Sequence, residues 1–140
     1  GGDTTFDLLA NGNLTITGLL TENSDLYAKT DIGGLDAGAV LEAVVGLPIA
    51  EWSYSDDPGV RHVGPMAQDF YAAFGLGATE TGIATLDTSG VALASIQALA
   101  AENQTLAGQN QMLLLWVGLL TLAVVGMGVG FFRRSRLDRA

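Results

Sequence analysis

A stretch of 21 residues without a charged side chain, Met112 to Phe132, constrains this chain more than any other feature of its sequence. It reads MLLLWVGLLTLAVVGMGVGFF, and Thr121 carries its one hydroxyl group. An α-helix needs about 20 apolar residues to cross the hydrocarbon core of a bilayer. A soluble remainder of this size has little capacity to surround a helix that is apolar on every side. We therefore predict a transmembrane helix over residues 112–132 rather than a buried core helix.

The charges on either side of the span predict its orientation. Residues 133–140 carry four arginines and one aspartate, whereas the flank before the span has no lysine or arginine. By the positive-inside rule, we expect a single-pass membrane protein with its C-terminus in the cytoplasm and its N-terminal region outside. Gly126 and Gly130 have a spacing that lets two helix backbones approach closely, which is best known from dimers.

Composition excludes several classes of function. The formal net charge is −9, and residues 1–112 hold 14 acidic and 2 basic side chains, so we expect no nucleic-acid partner. With no cysteine and a single histidine, the chain has no disulfide, thiolate or multi-histidine site, and we expect no metal and no cofactor. The chain opens with Gly-Gly rather than Met, so we expect it to be the C-terminal part of a longer protein.

Two short alternating runs near the N-terminus predict β-structure. Apolar and polar side chains alternate over residues 6–8 and 14–17, and Asn11-Gly12 lies between the runs as a hairpin or β-solenoid turn signal. A lone hairpin is only marginally stable in water. We therefore interpret residues 1–23 as the end of a β-rich stalk that continues upstream. A disordered leader is the alternative.

Residues 91–111 are predicted to form a coiled-coil helix. The helical pattern starts at Val91, after Ser89-Gly90, and side chains recur at a seven-residue spacing typical of an a/d seam. Asparagine at an a position weakens a coiled coil but fixes its register and oligomeric state. An amphipathic helix that packs on its own domain is the alternative. The seam runs without a break toward the membrane span, and its residues are Ile96, Leu99, Asn103, Leu106, Asn110 and Leu113.

Residues 24–90 form the predicted globular part, which is small for an independent core. Apolar side chains at helical spacing predict a helix that ends at Gly46, and alternation over residues 49–54 predicts a strand that ends at a turn over residues 56–59. Val63 opens a second short apolar piece, and a second amphipathic helix ends at Gly75. The fold class is α+β: a β stalk end, a small mixed helix/strand domain and a long helix.

Ser24 and Lys29 are the candidate catalytic residues. A serine becomes nucleophilic when a base removes its proton, and a lysine is such a base only when its amine is neutral. Desolvation favours a neutral amine. A serine within five residues of a lysine is commonplace, so spacing alone also fits a solvated surface lysine.

Four sequence blocks together resemble the endosialidase-type intramolecular chaperone domain, which ends phage tail spikes and tail fibres. The same domain is similar to the autoprocessing domain of myelin regulatory factor proteins. The resemblance covers roughly residues 8–107, in the order typical of the family. The blocks read SDLYAKTDI, LPIAEWSY, RHVGPMAQDFYAAFGLG and LDTSGVALASIQALAAENQTL.

The resemblance implies a function and a site. Such domains trimerise, fold the β-rich stalk that precedes them and then cleave themselves with a serine/lysine dyad, which corresponds here to Ser24 and Lys29. Asp25 stands where the family keeps an acidic residue, and the expected scissile bond is Asn23-Ser24. Leu26 departs from the arginine that often follows the Ser-Asp pair in the family, which puts the rate of cleavage in doubt.

His62 is a possible third group of the site. We assign it a supporting structural role in a strand-to-helix connection, since partly buried histidines usually find hydrogen-bond partners. Trp52 and Tyr54 share one strand face and are expected in the core.

Three functions remain open from the sequence. The first is a membrane-anchored, trimeric intramolecular chaperone that releases an upstream stalk by self-cleavage next to Ser24. The second is a non-cleaving trimerisation anchor for a surface fibre or adhesin. The third is a small ligand-binding ectodomain, for which the sequence offers no convergent polar cluster.

Overall fold

The computed structural model of the chain describes residues 6–8 and 14–137. Strands and helices alternate in the first part, and one helix forms the remainder, so the fold is mixed α/β as predicted. The elements are β1 (Phe6–Leu8), β2 (Leu14–Ile16), a 3-10 turn (Leu26–Ala28), α1 (Ala37–Gly46), β3 (Ala50–Tyr54), β4 (Asp57–Gly64), α2 (Ala67–Phe74) and α3 (Thr85–Leu137).

The first two strands form an antiparallel pair, as the alternating runs predict. Phe6 pairs with Ile16 and Leu8 with Leu14, so the register is regular. The predicted Asn11-Gly12 turn lies outside the described residues. Three residue pairs make a very short ladder, and such a hairpin gains stability mainly from further strands or from packing.

β3 and β4 form a second antiparallel hairpin, in which Trp52 pairs with His62 and Tyr54 with Asp57. The register shifts between Trp52 and Tyr54. The predicted turn over residues 56–59 is wrong in part, because β4 already begins at Asp57. Pro58 lacks a backbone N–H, but a two-stranded sheet has an open edge on each strand, where proline costs no ladder hydrogen bond.

The two predicted short helices are confirmed. Asp36 caps α1 by accepting a hydrogen bond from the Ala39 amide at 3.1 Å, which satisfies one of the free donors of the first turn. α2 ends at Gly75, whose φ of 63° is the left-handed conformation that glycine adopts without a steric penalty.

The core of the globular part is thin. Phe70, at 3% exposure, is the most buried side chain, and its ring lies 4.8 Å from that of Phe74. Val91 and Ala94 of α3 are also buried. Residues of α1, the end of α2 and the start of α3 line a pocket of about 310 Å³ that is partly open to solvent. The lining residues include Leu35, Val40, Phe74, Leu76, Leu86 and Val91.

α3 is one helix of 53 residues. It begins at Thr85, so the predicted start at Val91 is wrong. The hydroxyl groups of Thr88 and Ser89 both donate to the Thr85 carbonyl, at 2.8 and 2.9 Å, and this places Ser89-Gly90 inside the helix rather than before it. The chain divides into two compact units, and the division falls within α3 between Ser95 and Ile96.

The part of α3 that includes the uncharged stretch is long and apolar enough to cross a membrane. Its large side chains are exposed, among them Trp116, Leu120 and Phe131. The described residues contain one such helix. In length and composition, this part of α3 therefore agrees with the membrane-spanning helix predicted for residues 112–132.

Candidate active site

Two consecutive side-chain caps shape the backbone around Ser24. The Asn23 side-chain oxygen accepts a hydrogen bond from the Asp25 amide at 3.1 Å. The Asp25 carboxylate then accepts one from the Tyr27 amide at 3.0 Å and caps the 3-10 turn. Asparagine and aspartate form such local turns because their short side chains reach the backbone two residues ahead. The backbone is therefore held by side chains at Ser24 and in the turn that follows it.

The 3-10 turn brings Lys29 back to Ser24. Backbone hydrogen bonds join Ala28 to Asp25 and Lys29 to Leu26, at 3.2 and 3.3 Å, and these close the turn. The Lys29 Nζ lies 2.6 Å from the Ser24 Oγ and donates a hydrogen bond to it. A sequence separation of five residues thus becomes direct contact between an amine and a hydroxyl, which is the geometry that a serine/lysine pair requires.

The pair lies at the surface of the single chain. Ser24 and Lys29 are both exposed, and Tyr27 between them is 94% exposed. Leu26, the residue that departs from the family pattern, is 61% exposed. The Lys29 side chain is therefore in contact with water, whereas a general-base lysine works best in a dry environment.

Asp25 is positioned as a turn-forming residue. Its carboxylate contacts the Tyr27 amide, and its own amide is held by Asn23. The sequence identified Asn23 only as one side of the expected scissile bond. Its role in the turn is a feature that sequence reasoning missed, although the spacing of Asn23 and Asp25 around the serine is the signal that could have revealed it.

His62 lies within β4, so its predicted position in a strand-to-helix connection is wrong. Its ring is stacked on that of Trp52, with centroids 4.7 Å apart, and meets Tyr54 at an edge, with centroids 5.4 Å apart. Within residues 14–137, no hydrogen bond joins His62 to Ser24 or Lys29. The structure thus brings Ser24, Lys29, Asn23 and Asp25 together and places His62 in an aromatic cluster with Trp52 and Tyr54.

The predicted seam lies on one uninterrupted stretch of α3. Its apolar members are half or more exposed in the single chain; Leu99, for example, is 50% exposed. Asn103 and Asn110 are exposed as well. A row of large apolar side chains on a helix surface is typical of an interaction face.

Most of the globular part matches a known family. Residues 24–76 match the family model described as chaperone of endosialidase. The match begins at Ser24 and ends just after α2, so it contains the serine/lysine pair, both short helices and the β3–β4 hairpin. A search of curated proteins finds no match. Residues 24–76 are therefore similar to the chaperone-of-endosialidase family, which is the family that the sequence motifs resemble.

Proposed function

We propose that this chain is a membrane-anchored intramolecular chaperone that trimerises, folds an upstream β-rich stalk and releases it by cleaving itself next to Ser24. The observation that carries the proposal is the 2.6 Å contact between Lys29 Nζ and Ser24 Oγ at the first residues of the family match. The domain boundaries that we propose are those expected from the sequence: 1–23, 24–90, 91–111, 112–132 and 133–140.

The thin core supports assembly with other copies. Large apolar side chains before α1 are exposed in the single chain, at 90% for Leu19 and 65% for Ile32. Monomeric soluble proteins rarely leave large contiguous apolar patches in water. Packing of these side chains between subunits would stabilise the domain and remove water from the neighbouring serine/lysine pair. Trimerisation would then make cleavage depend on correct assembly.

The reaction follows from the atoms already in contact. With its amine neutral, Lys29 takes the Ser24 hydroxyl proton, and Oγ attacks the Asn23 carbonyl carbon. The Asn23–Ser24 peptide bond breaks, the Ser24 nitrogen receives the proton, and an ester joins Asn23 to Ser24 Oγ. Water hydrolyses the ester, which leaves a carboxylate on Asn23 and restores the hydroxyl. No substrate pocket is needed, because well-oriented intramolecular reactions gain roughly 7–11 kcal/mol from proximity.

Mass spectrometry of the expressed full chain tests the proposal. We expect fragments that correspond to residues 1–23 and 24–140 in the wild type, and only the intact mass in Ser24→Ala and Lys29→Ala. Arg61→Ala is the matched control, since Arg61 is exposed and its described ion pair is with Glu51, at 3.2 Å. An intact mass for the wild type in a verified folded trimer would remove self-cleavage from the proposal.

A second candidate is a structural trimerisation anchor without cleavage. Leu26 supports it, because this exposed leucine stands where the family often has arginine. This candidate predicts the same trimer but no Ser24-dependent fragment. Leu26→Arg separates the two functions: if cleavage is only slowed by the leucine, the arginine variant accumulates fragments faster than the wild type.

A further inference from the structure

The heptad pattern of α3 does not stop at Leu113. Counting on in steps of seven from Asn110 and Leu113 gives further a and d positions within the uncharged stretch. All of them hold large apolar side chains that are exposed in the single chain. They are Val117, Leu120, Val124, Met127 and Phe131.

The glycines of the helix avoid these positions. Every glycine of α3 falls outside a and d, and a Cβ atom added at any of them would meet nothing within 4 Å. Glycine has no side chain to pack, so a face without glycine offers a neighbouring helix an unbroken row of side chains. Large apolar side chains occupy other faces of the span as well, but the a/d face from Ile96 to Phe131 is one that no glycine interrupts. The glycines are Gly90, Gly108, Gly118, Gly126, Gly128 and Gly130.

The polar residues of the same face indicate what covers it. Asn103 and Asn110 lie at a positions, and an amide side chain carries both donors and acceptors. An identical helix, parallel and in register, places the same amide at the same level and can satisfy both. Within lipid, apolar burial gives helices little reason to associate, so regular packing of side chains decides the contact face.

We propose that copies of this chain pack along one continuous a/d seam from Ile96 to Phe131, so that their interface extends through the membrane span. Gly126 and Gly130 then lie outside the interface, despite their helix-association spacing. The proposal rests on the membrane anchoring and parallel assembly in the proposed function. Beyond that function, it identifies the surface that contacts the helix within the bilayer, which is the a/d face of a second copy of the chain.

Cysteine crosslinking tests this surface directly, because the chain contains no cysteine of its own. Single-cysteine variants of the full chain are reconstituted in liposomes and oxidised, and the rate of disulfide-linked dimer formation is measured. We expect Leu120→Cys, Val124→Cys and Met127→Cys to crosslink several-fold faster than Val125→Cys and Gly126→Cys.

The seam outside the membrane provides an internal reference, with Leu99→Cys and Leu106→Cys measured in parallel. Suppose that both reference variants crosslink and that, within the span, Gly126→Cys and Gly130→Cys crosslink fastest. This result would overturn the continuous seam and leave the proposed assembly intact. The same conclusion follows if the span variants crosslink at one uniform rate. If none of the variants crosslinks, the parallel assembly in the proposed function fails as well.

Discussion

Trp52 stacks on His62 across the β3–β4 hairpin, with ring centroids 4.7 Å apart and an interplanar angle of 28°. The two residues are direct cross-strand partners, and Tyr54 meets the Trp52 ring at an edge, with centroids 4.9 Å apart. Cross-strand aromatic pairs are a main source of stability in small sheets. The three rings therefore form one cluster on the hairpin, and we expect His62 to have a structural role there.

Replacing His62 tests this role. We expect His62→Ala to lower the stability of the domain by about 1 kcal/mol through loss of the aromatic pair, which corresponds to a Tm lower by about 4–8 °C in a domain of this size. Thermal unfolding measures the change, and Val63→Ala on the same strand is an exposed control. If His62→Ala abolished cleavage in a variant that still folds, His62 would instead belong to the catalytic machinery.

The turn at Ser24 gives a second prediction. Asp25→Ala removes the cap of the 3-10 turn, and loss of a capping side chain costs about 1 kcal/mol. If the same amount is added to the activation free energy of cleavage, the reaction slows by about fivefold to tenfold. Asp25→Asn keeps an acceptor oxygen and should cleave at close to the wild-type rate. The rate of fragment appearance on gels or by mass spectrometry is the measurement.

Asp36→Ala is the matched control for the turn. It removes the equivalent hydrogen bond at the start of α1, so it lowers stability by a similar amount without touching the serine/lysine pair. Equal slowing of cleavage by Asp25→Ala and Asp36→Ala would mean that general destabilisation, rather than the local turn, governs the rate.

The asparagines of the seam should control oligomeric state. Replacing Asn103 or Asn110 with leucine removes a polar side chain from the proposed interface, so we expect a higher melting temperature of the assembly and a broader distribution of oligomer masses. Native mass spectrometry in detergent measures both the number of chains and its spread. Gln104→Leu, one residue away from the seam, should change neither; if it acts like Asn103→Leu, the assigned register is wrong.

Two glycines should respond to alanine in opposite directions. Gly75 has a φ of 63°, a conformation that costs other residues roughly 1–2 kcal/mol, so Gly75→Ala should destabilise the globular part. Gly108 lies in the middle of α3 with open space around it, and Gly108→Ala should stabilise the helix by up to about 1 kcal/mol. Denaturation monitored by circular dichroism reports both, and two changes of the same sign would contradict the prediction.

Local sequence signals predicted much of this fold because they act over a few residues. The stop of α2 at Gly75, the α1 helix and the strand that contains Trp52 all follow from neighbouring residue types. The start of α3 did not, because the serine and glycine that we read as a boundary lie inside the helix, where the Ser89 hydroxyl donates to the Thr85 carbonyl instead of capping a helix start. Side-chain hydrogen bonds of this kind leave no periodic trace in a sequence.

The sequence predicted one part of the candidate site and misplaced another. Contact between Ser24 and Lys29 depends on a single turn, whose aspartate cap is visible in the sequence, whereas the stacking of His62 depends on strand pairing with Trp52. Register across a hairpin is set by the partner strand, so one strand read alone misplaced His62 in a connection. Predicting that the serine/lysine pair is catalytic required the family resemblance, because the same spacing occurs on many protein surfaces.

The contact between Lys29 and Ser24 has a consequence for the role of assembly. Lys29 Nζ and Ser24 Oγ already lie 2.6 Å apart in the single chain, although both residues are exposed. The contact between the two side chains therefore forms within one subunit, across a single 3-10 turn. If the chain cleaves itself as we propose, assembly does not have to bring the two groups together, and its contribution is to exclude solvent from a pair that is already in place.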